Sequence, residues 1–241
     1  MLPLVPVLVF ALTLGGTPVE VAVHDAGPGL ALLVLHDDEN TAVEAGQAFV
    51  EAHGGRLVEL RAQGERRVAF TLDGRAFSVD PNRIFTDAGV RRTLEADSAH
   101  AGAVALARLF GDALVAVYAP DAFVVTLHNN TPGDYSALSY AEGGAYARDA
   151  EAIHLEDGAD PDDFFFVTER ALFDILAAGG FNVVLQDNRG VTDDGSLSVW
   201  AARAGLPYVN VEAEHGHLEA QLRMLEAVAR VLAYDTPAEG E

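Results

Sequence analysis

Two short runs constrain this chain most. Residues 30–35 and 123–127 are apolar at nearly every position, without the alternation of a strand that keeps one face in water. Runs of that kind are strands buried on both faces, as in parallel strands covered by helices on either side. Each is followed at once by a histidine, His36 or His128. Further strands are expected at 19–23, 57–60, 164–167, 182–185 and 208–211. Helical spacing runs from Glu39 to Gly54-Gly55 and recurs at 169–178, 196–204 and 218–233. Residues 67–72 and 76–79 flank Asp73-Gly74, a dipeptide that supplies the positive φ of a tight hairpin turn. One helix is expected over 88–110, and the Gly-, Pro-, Asp- and Tyr-rich stretch 129–163 reads as a long loop near a site. The alternation of strands and helices predicts an α/β fold with a mostly parallel or mixed central sheet and ligands at the carboxyl ends of its strands.

Composition removes several function classes. The chain has 241 residues, with 37 acidic against 15 basic side chains and a formal charge of -22, so nucleic acid is not an expected partner. There is no cysteine, which excludes disulfides, thiolate chemistry and Cys-type zinc sites and leaves His, Asp and Glu to hold any metal. Residues 2–14 are almost wholly apolar, too short for the roughly 20 residues of a spanning helix but of the length of a secretory signal core. No Lys or Arg precedes them, and a buried first strand is the alternative. The expected organisation is a signal peptide over 1–22, a single catalytic domain over 23–234 and a flexible acidic tail over 235–241. That implies a periplasmic or secreted protein. Later apolar runs are interrupted by charged residues or glycine, so no stable membrane insertion is expected.

Four groups of residues can carry chemistry. His36 leaves a strand and Glu39 falls three residues later on the first helical turn, so an imidazole and a carboxylate can meet at one cation; acidic residues there also suit a helix N-terminus. His128 ends the second buried strand and can be a third ligand or a hydrogen-bonded structural residue. Two histidines and a glutamate would leave a tetrahedral zinc with an open position, the catalytic rather than the structural pattern. Asp80-Pro81-Asn82-Arg83 offers a guanidinium fork suited to a carboxylate, or a turn whose arginine pairs with an acidic neighbour. Glu212 and Glu214 share one face of a late strand, where a carboxylate can serve as general base, with His215 and His217 as rim groups.

In this order these pieces resemble the zinc carboxypeptidases and their relatives, the succinylglutamate desuccinylases and aspartoacylases. That superfamily carries HxxE, an Asn-Arg pair, a later His and a catalytic Glu on a late strand, matched here by His36 and Glu39, Asn82 and Arg83, His128, and Glu212. The segment Gly195-Ser196-Leu197-Ser198-Val199-Trp200 followed by Tyr208-Val209-Asn210-Val211-Glu212 adds to the likeness, which covers about residues 30–215. The resemblance implies a three-layer α/β sandwich and one zinc ion on His36, Glu39 and His128. It implies Glu212 as the base that moves a proton from water to the leaving nitrogen, and Asn82 and Arg83 as the holders of a substrate carboxylate. The expected substrate is a peptide, or an N-acyl amino acid in the deacylase branch. A non-catalytic descendant binding metal or carboxylate is the remaining class. The family's tyrosine before the Gly-Ser segment has no counterpart here, and Arg75 and Arg189 are the candidates for its oxyanion arginine.

Overall fold

The computed structural model describes residues 5–120 and 122–235, with the side chains of 233–235 left aside. Eleven strands and six α-helices are assigned among these residues. The apolar run at 30–35 forms β3 (Ala31–Val34), fully inside the sheet. It leads into α1 (Asn40–His53), which lays Ala42, Ala45, Phe49 and Val50 on one sheet face before Gly54 ends it. Strand β4 (Arg56–Arg61) returns parallel to β3, and β7 (Val124–Asn130) lies on the other side of β3, also parallel. Next comes β11 (Tyr208–Glu214), parallel to β7, then β9 (Phe164–Val167), antiparallel to β11, with β10 (Asn182–Gln186) parallel to β9.

Two strands extend the other edge. β1 (Val7–Leu14) pairs antiparallel with β2 (Thr17–Asp25), which pairs with β4, and β8 (Ala150–His154) closes the far edge against β10. The order of the nine-stranded mixed sheet is β1-β2-β4-β3-β7-β11-β9-β10-β8. One face is covered by α1, α4 (Arg170–Ala178) and α6 (Leu218–Asp235). The other carries the hairpin β5 (Val68–Leu72) and β6 (Arg75–Val79), with α2 (Asp87–Thr93), α3 (Ala101–Tyr118) and α5 (Leu197–Ala204). This is the expected three-layer α/β sandwich. The β5–β6 turn has Asp73 at φ 50° and Gly74 at φ 75°, the two left-handed residues that the Asp-Gly pair predicts.

Three local expectations differ from what is found. The helix expected over 88–110 is two helices. Thr86 Oγ1 accepts from Gly89 N and starts α2, while His100 Nδ1 accepts from Ala103 N and starts α3. Between them Leu94 turns extended and Glu95 N donates to Ser78 O, so pairing to β6 outcompetes continued helix. α3 is long and apolar enough by composition to cross a membrane, contrary to the expectation for later segments, but it packs Ala103, Ala107, Phe110 and Leu114 into the core. The loop expected over 129–163 contains β8, a half-exposed edge strand that carries Glu151 and His154. The apolar segment expected to be an export signal forms β1, with Leu8 64% exposed, and the tail at 236–241 lies outside the described residues.

Candidate metal centre and substrate cavity

The parallel strands β3, β7 and β11 bring the chemistry to one end of the sheet. His36 follows β3 and Glu39 is the residue before α1. His128 lies within β7, which runs three residues past the apolar segment to Asn130, and it stands opposite Glu212 of β11. The extension of β7 has a local cause. Asn129 Oδ1 accepts from Ala42 N at 2.7 Å and Asn129 Nδ2 donates to Gln221 Oε1 at 3.1 Å, which ties the strand end to α1 and α6. Gln221, fully buried, donates in turn to the carbonyls of His128 and Val211 at 3.0 and 3.1 Å.

The three expected ligands converge. Nδ1 of His36 lies 2.8 Å from Glu39 Oε1 and 3.2 Å from Nδ1 of His128, and His128 Nδ1 lies 2.8 Å from Glu39 Oε2. All three side chains are buried and their donor atoms form one group with metal-holding geometry. A tetrahedral zinc with ligands at about 2.0–2.1 Å separates neighbouring donors by about 3.3 Å, so the group fits that ion with small adjustments. Behind it, His36 Nε2 is 2.9 Å from Asp80 Oδ1, the carboxylate-to-imidazole contact that fixes the orientation of a metal-binding ring. Asp80 Oδ1 also accepts from Asn82 N at 2.8 Å, so the Asp-Pro-Asn-Arg turn supports the ligand set as well as the cavity.

Charge explains how such a group stays folded without metal. Burial works against a charged His36, but Glu39 and Asp80 overcome it and raise its pKa to about 9. Burial would raise Glu39, yet the two histidines hold it well below the usual carboxylate range. His128 is lowered by burial, which outweighs the attraction of Glu39, so it is neutral at pH 7. A proton on His36 thus balances Glu39 where a divalent cation would. Metal binding must release that proton, so zinc affinity of the metal-free protein is expected to rise about tenfold per pH unit between pH 6.5 and 8.5. Competition against a chromophoric chelator measures the slope; a flat profile would mean His36 is already neutral there.

A cavity of about 710 Å³ opens beside the three ligands and is also lined by Asn82, Arg83 and Glu212. Glu212 is buried, and burial together with the charge of Glu39 pushes its pKa up to about 8 against a 2.8 Å hydrogen bond from Asn210 Nδ2. Asn82 is turned partly to the protein: its Oδ1 accepts from Leu197 N at 3.1 Å and its Nδ2 sits 3.2 Å from His128 Nε2. Arg83 is partly exposed in the cavity, with Nη1 donating to Asn82 O at 2.8 Å and Nε 3.4 Å from Asp194 Oδ2. Its turn and α2 closely approach the backbone of Asp194 and Gly195, just before α5. A Cβ at Gly89 would run into Gly195 Cα and into the carbonyl oxygens of Arg83 and Asp194.

Several groups in the cavity are not legible from motif spacing. Arg66, in the loop between β4 and β5, donates to Glu39 Oε1 at 2.7 Å and lines the cavity. Of the two arginines expected as oxyanion candidates, Arg75 is on the exposed hairpin near Asp97, and Arg189 is exposed outside the cavity lining. Tyr135 and Tyr140, 2.7 Å apart through their hydroxyls, line the cavity from the loop after β7, and burial raises both phenols so that they stay neutral. His215 reaches the rim. His217 instead pairs with Asp163 at 3.0 Å and stands with Asp160 and Glu214 in a second, more exposed group.

No protein-family model and no curated protein matches the chain. Solved structures do. The murein-tripeptide amidase from Escherichia coli O157 is 18% identical, with 97% of this chain and 93% of that one covered at a TM-score of 0.52. A succinylglutamate desuccinylase/aspartoacylase from Rhodobacter sphaeroides is 15% identical at a TM-score of 0.43, and this chain spans 60% of its length with 90% of its own residues. Over nearly its whole length this chain therefore shares the fold of the murein-tripeptide amidase, a mixed sheet flanked by helix layers.

Proposed function

We propose that this chain is a zinc-dependent hydrolase that cleaves an amide bond next to a free carboxylate of a peptide. The observation that carries this is the convergence of His36 Nδ1, Glu39 and His128 Nδ1 beside a cavity that also holds Glu212 and Arg83. When bound, zinc supplies Lewis acidity, which polarises a carbonyl and makes water acidic near neutral pH. The protein's own residues do the rest. Arg83 holds the substrate carboxylate, which fixes the scissile amide over the ligand group and removes orientational freedom before reaction. Glu212, opposite His128 across β7 and β11, accepts a proton from the attacking water and delivers it to the departing nitrogen. Arg66, always charged and beside Glu39, faces the negative charge that develops on the carbonyl oxygen. The neutral Tyr135–Tyr140 pair walls the cavity against bulk water.

Export belongs to the same reading, because a peptide-stem substrate suits a periplasmic or secreted enzyme. The test is a panel assayed with zinc-loaded protein: peptides with free C-termini, their C-terminal amides, and N-acyl amino acids. Turnover is expected on free-acid peptides and is expected to fall strongly on the amides. Preferred turnover of N-acyl amino acids would replace the peptidase reading by the deacylase one, and no turnover on any member would remove both. Sequencing the natural N-terminus decides export by cleavage: a mature chain that retains β1 overturns that part.

A further inference from the structure

Arg66 sits in a loop that does not hold itself in place. Among the described residues its own backbone makes no hydrogen bond, and its guanidinium hydrogen-bonds only to Glu39, at 2.7 Å. Downstream the chain is fixed by Arg67, which donates to Ser78 Oγ at 3.0 Å and to Thr93 Oγ1 at 3.2 Å. Upstream the fixing group is Asp37. One oxygen of its carboxylate, Oδ2, accepts from Ala62 N at 2.7 Å and from Gly64 N at 2.6 Å, while Glu65 N closes the turn on Ala62 O at 3.2 Å. Two amides converging on one oxygen make a small backbone cradle for an anion. The residue between them, Gln63, stands at φ 61°, in the left-handed region that a non-glycine side chain keeps only where its surroundings impose it. The Asp37 carboxylate, bonded on either side of it, is the group that imposes it.

We propose that Asp37 is a positioning residue, which holds the loop over 62–66 so that Arg66 stays against Glu39 and faces the cavity. Asp37 follows His36 directly, so the strand end that supplies one member of the ligand group also carries the anchor of the arginine. Without the carboxylate both amides would turn to water and Gln63 would be free to return to the commoner region of negative φ. A dihedral change at 63 or 64 is carried straight into the position of Arg66, two residues on. A guanidinium that stabilises developing charge has to be in place before the charge appears, and that is what the anchor secures. An asparagine oxygen can still accept from the two amides, though without the charge that strengthens such bonds. The proposal takes from the hydrolase reading only what Arg66 does during turnover; where Arg66 stands does not depend on it.

The test has one readout free of turnover and one that uses it. In isotope-labelled, zinc-loaded full-length protein, the guanidinium NMR signal of Arg66 is assigned by its absence in Arg66→Ala; its bond to a buried carboxylate slows its exchange with water. That signal is expected to persist in Asp37→Asn and to be lost in Asp37→Ala with the rest of the spectrum unchanged. Asp37→Ser, whose shorter side chain does not span the two amides, gives the same readout should the alanine variant not fold. In turnover, Asp37→Ala is expected to lower kcat at least about tenfold with KM within about threefold and zinc content unchanged, and Asp37→Asn to stay within about threefold of the unmutated kcat. In an Arg66→Ala background the same Asp37→Ala change is expected to cost less than about twofold, because its effect passes through the arginine. A persistent Arg66 signal in Asp37→Ala overturns the proposal, as does an equal loss of kcat in both backgrounds or a loss of zinc, which would move the role of Asp37 to the ligand group. Signal loss without hydrolysis of any peptide would leave this proposal standing and remove the hydrolase reading; peptide hydrolysis with a persistent signal would do the reverse.

Discussion

Replacing Glu212 by glutamine is expected to lower kcat by about 10²–10⁴-fold while the metal content stays at the unmutated level. Glutamine keeps the shape and can still accept the hydrogen bond that Asn210 Nδ2 gives at 2.8 Å, so folding and the ligand group are left in place. What is lost is the ability to take a proton. In the metal-free protein the pKa of Glu212 is about 8, raised first by burial and then by the negative charge of Glu39. A divalent cation on Glu39 cancels the second cause, so the carboxyl falls back toward the range in which it is an ionised base at neutral pH. Single-turnover kinetics with metal analysis of the same sample check this. Retained kcat in a fully loaded variant would take Glu212 out of the proton path.

Glu39→Gln is expected to abolish stoichiometric zinc retention and to destabilise the metal-free protein by about 3 kcal/mol or more at pH 6. Glu39 is 1% exposed and its carboxylate receives His36, His128 and Arg66 at 2.7–2.8 Å. Removing its charge leaves a buried imidazolium at His36 without its main partner. His36 is raised to about 9, so the stability it contributes is fully present below its ordinary value of 6.5 and lost as pH rises through about 9. Glu39 is lowered, so its contribution is present above 4.5 and lost as pH falls toward its depressed value. The penalty of the substitution is thus largest between those limits and shrinks above pH 9. Urea unfolding of metal-free protein at pH 6 and pH 9.5 measures it; the same penalty at both values would mean that His36 is not the charge being stranded.

Much of the fold was legible because its elements report their own period. The runs that became β3 and β7 lack alternation since both sides are covered, and α1, α4 and α6 show apolar residues at helical spacing over a single buried face. The failures sit where pairing across the chain overrode local pattern. Ser78 drew Glu95 out of a helix, and β8 became a strand only because β10 offers it an edge. The ligand group was legible through residue type and the strand ends that carry it. The roles of Asp80 and Arg66 were not: one belongs to an already noted turn and the other sits in a plain loop, and each acts only through the position of His36 or Glu39.

By itself the amino-acid order determined the layer architecture, the absence of thiol chemistry and which three side chains to expect in a group able to hold a metal, because periodicity and residue chemistry are local properties. The tertiary structure alone decided which charges face those side chains, that the arginine near the metal group is Arg66, and that Asp37 bonds the loop carrying it. Those depend on distances between segments far apart in the chain, set by strand register and by helices packing on the sheet, and no short stretch of residues encodes them.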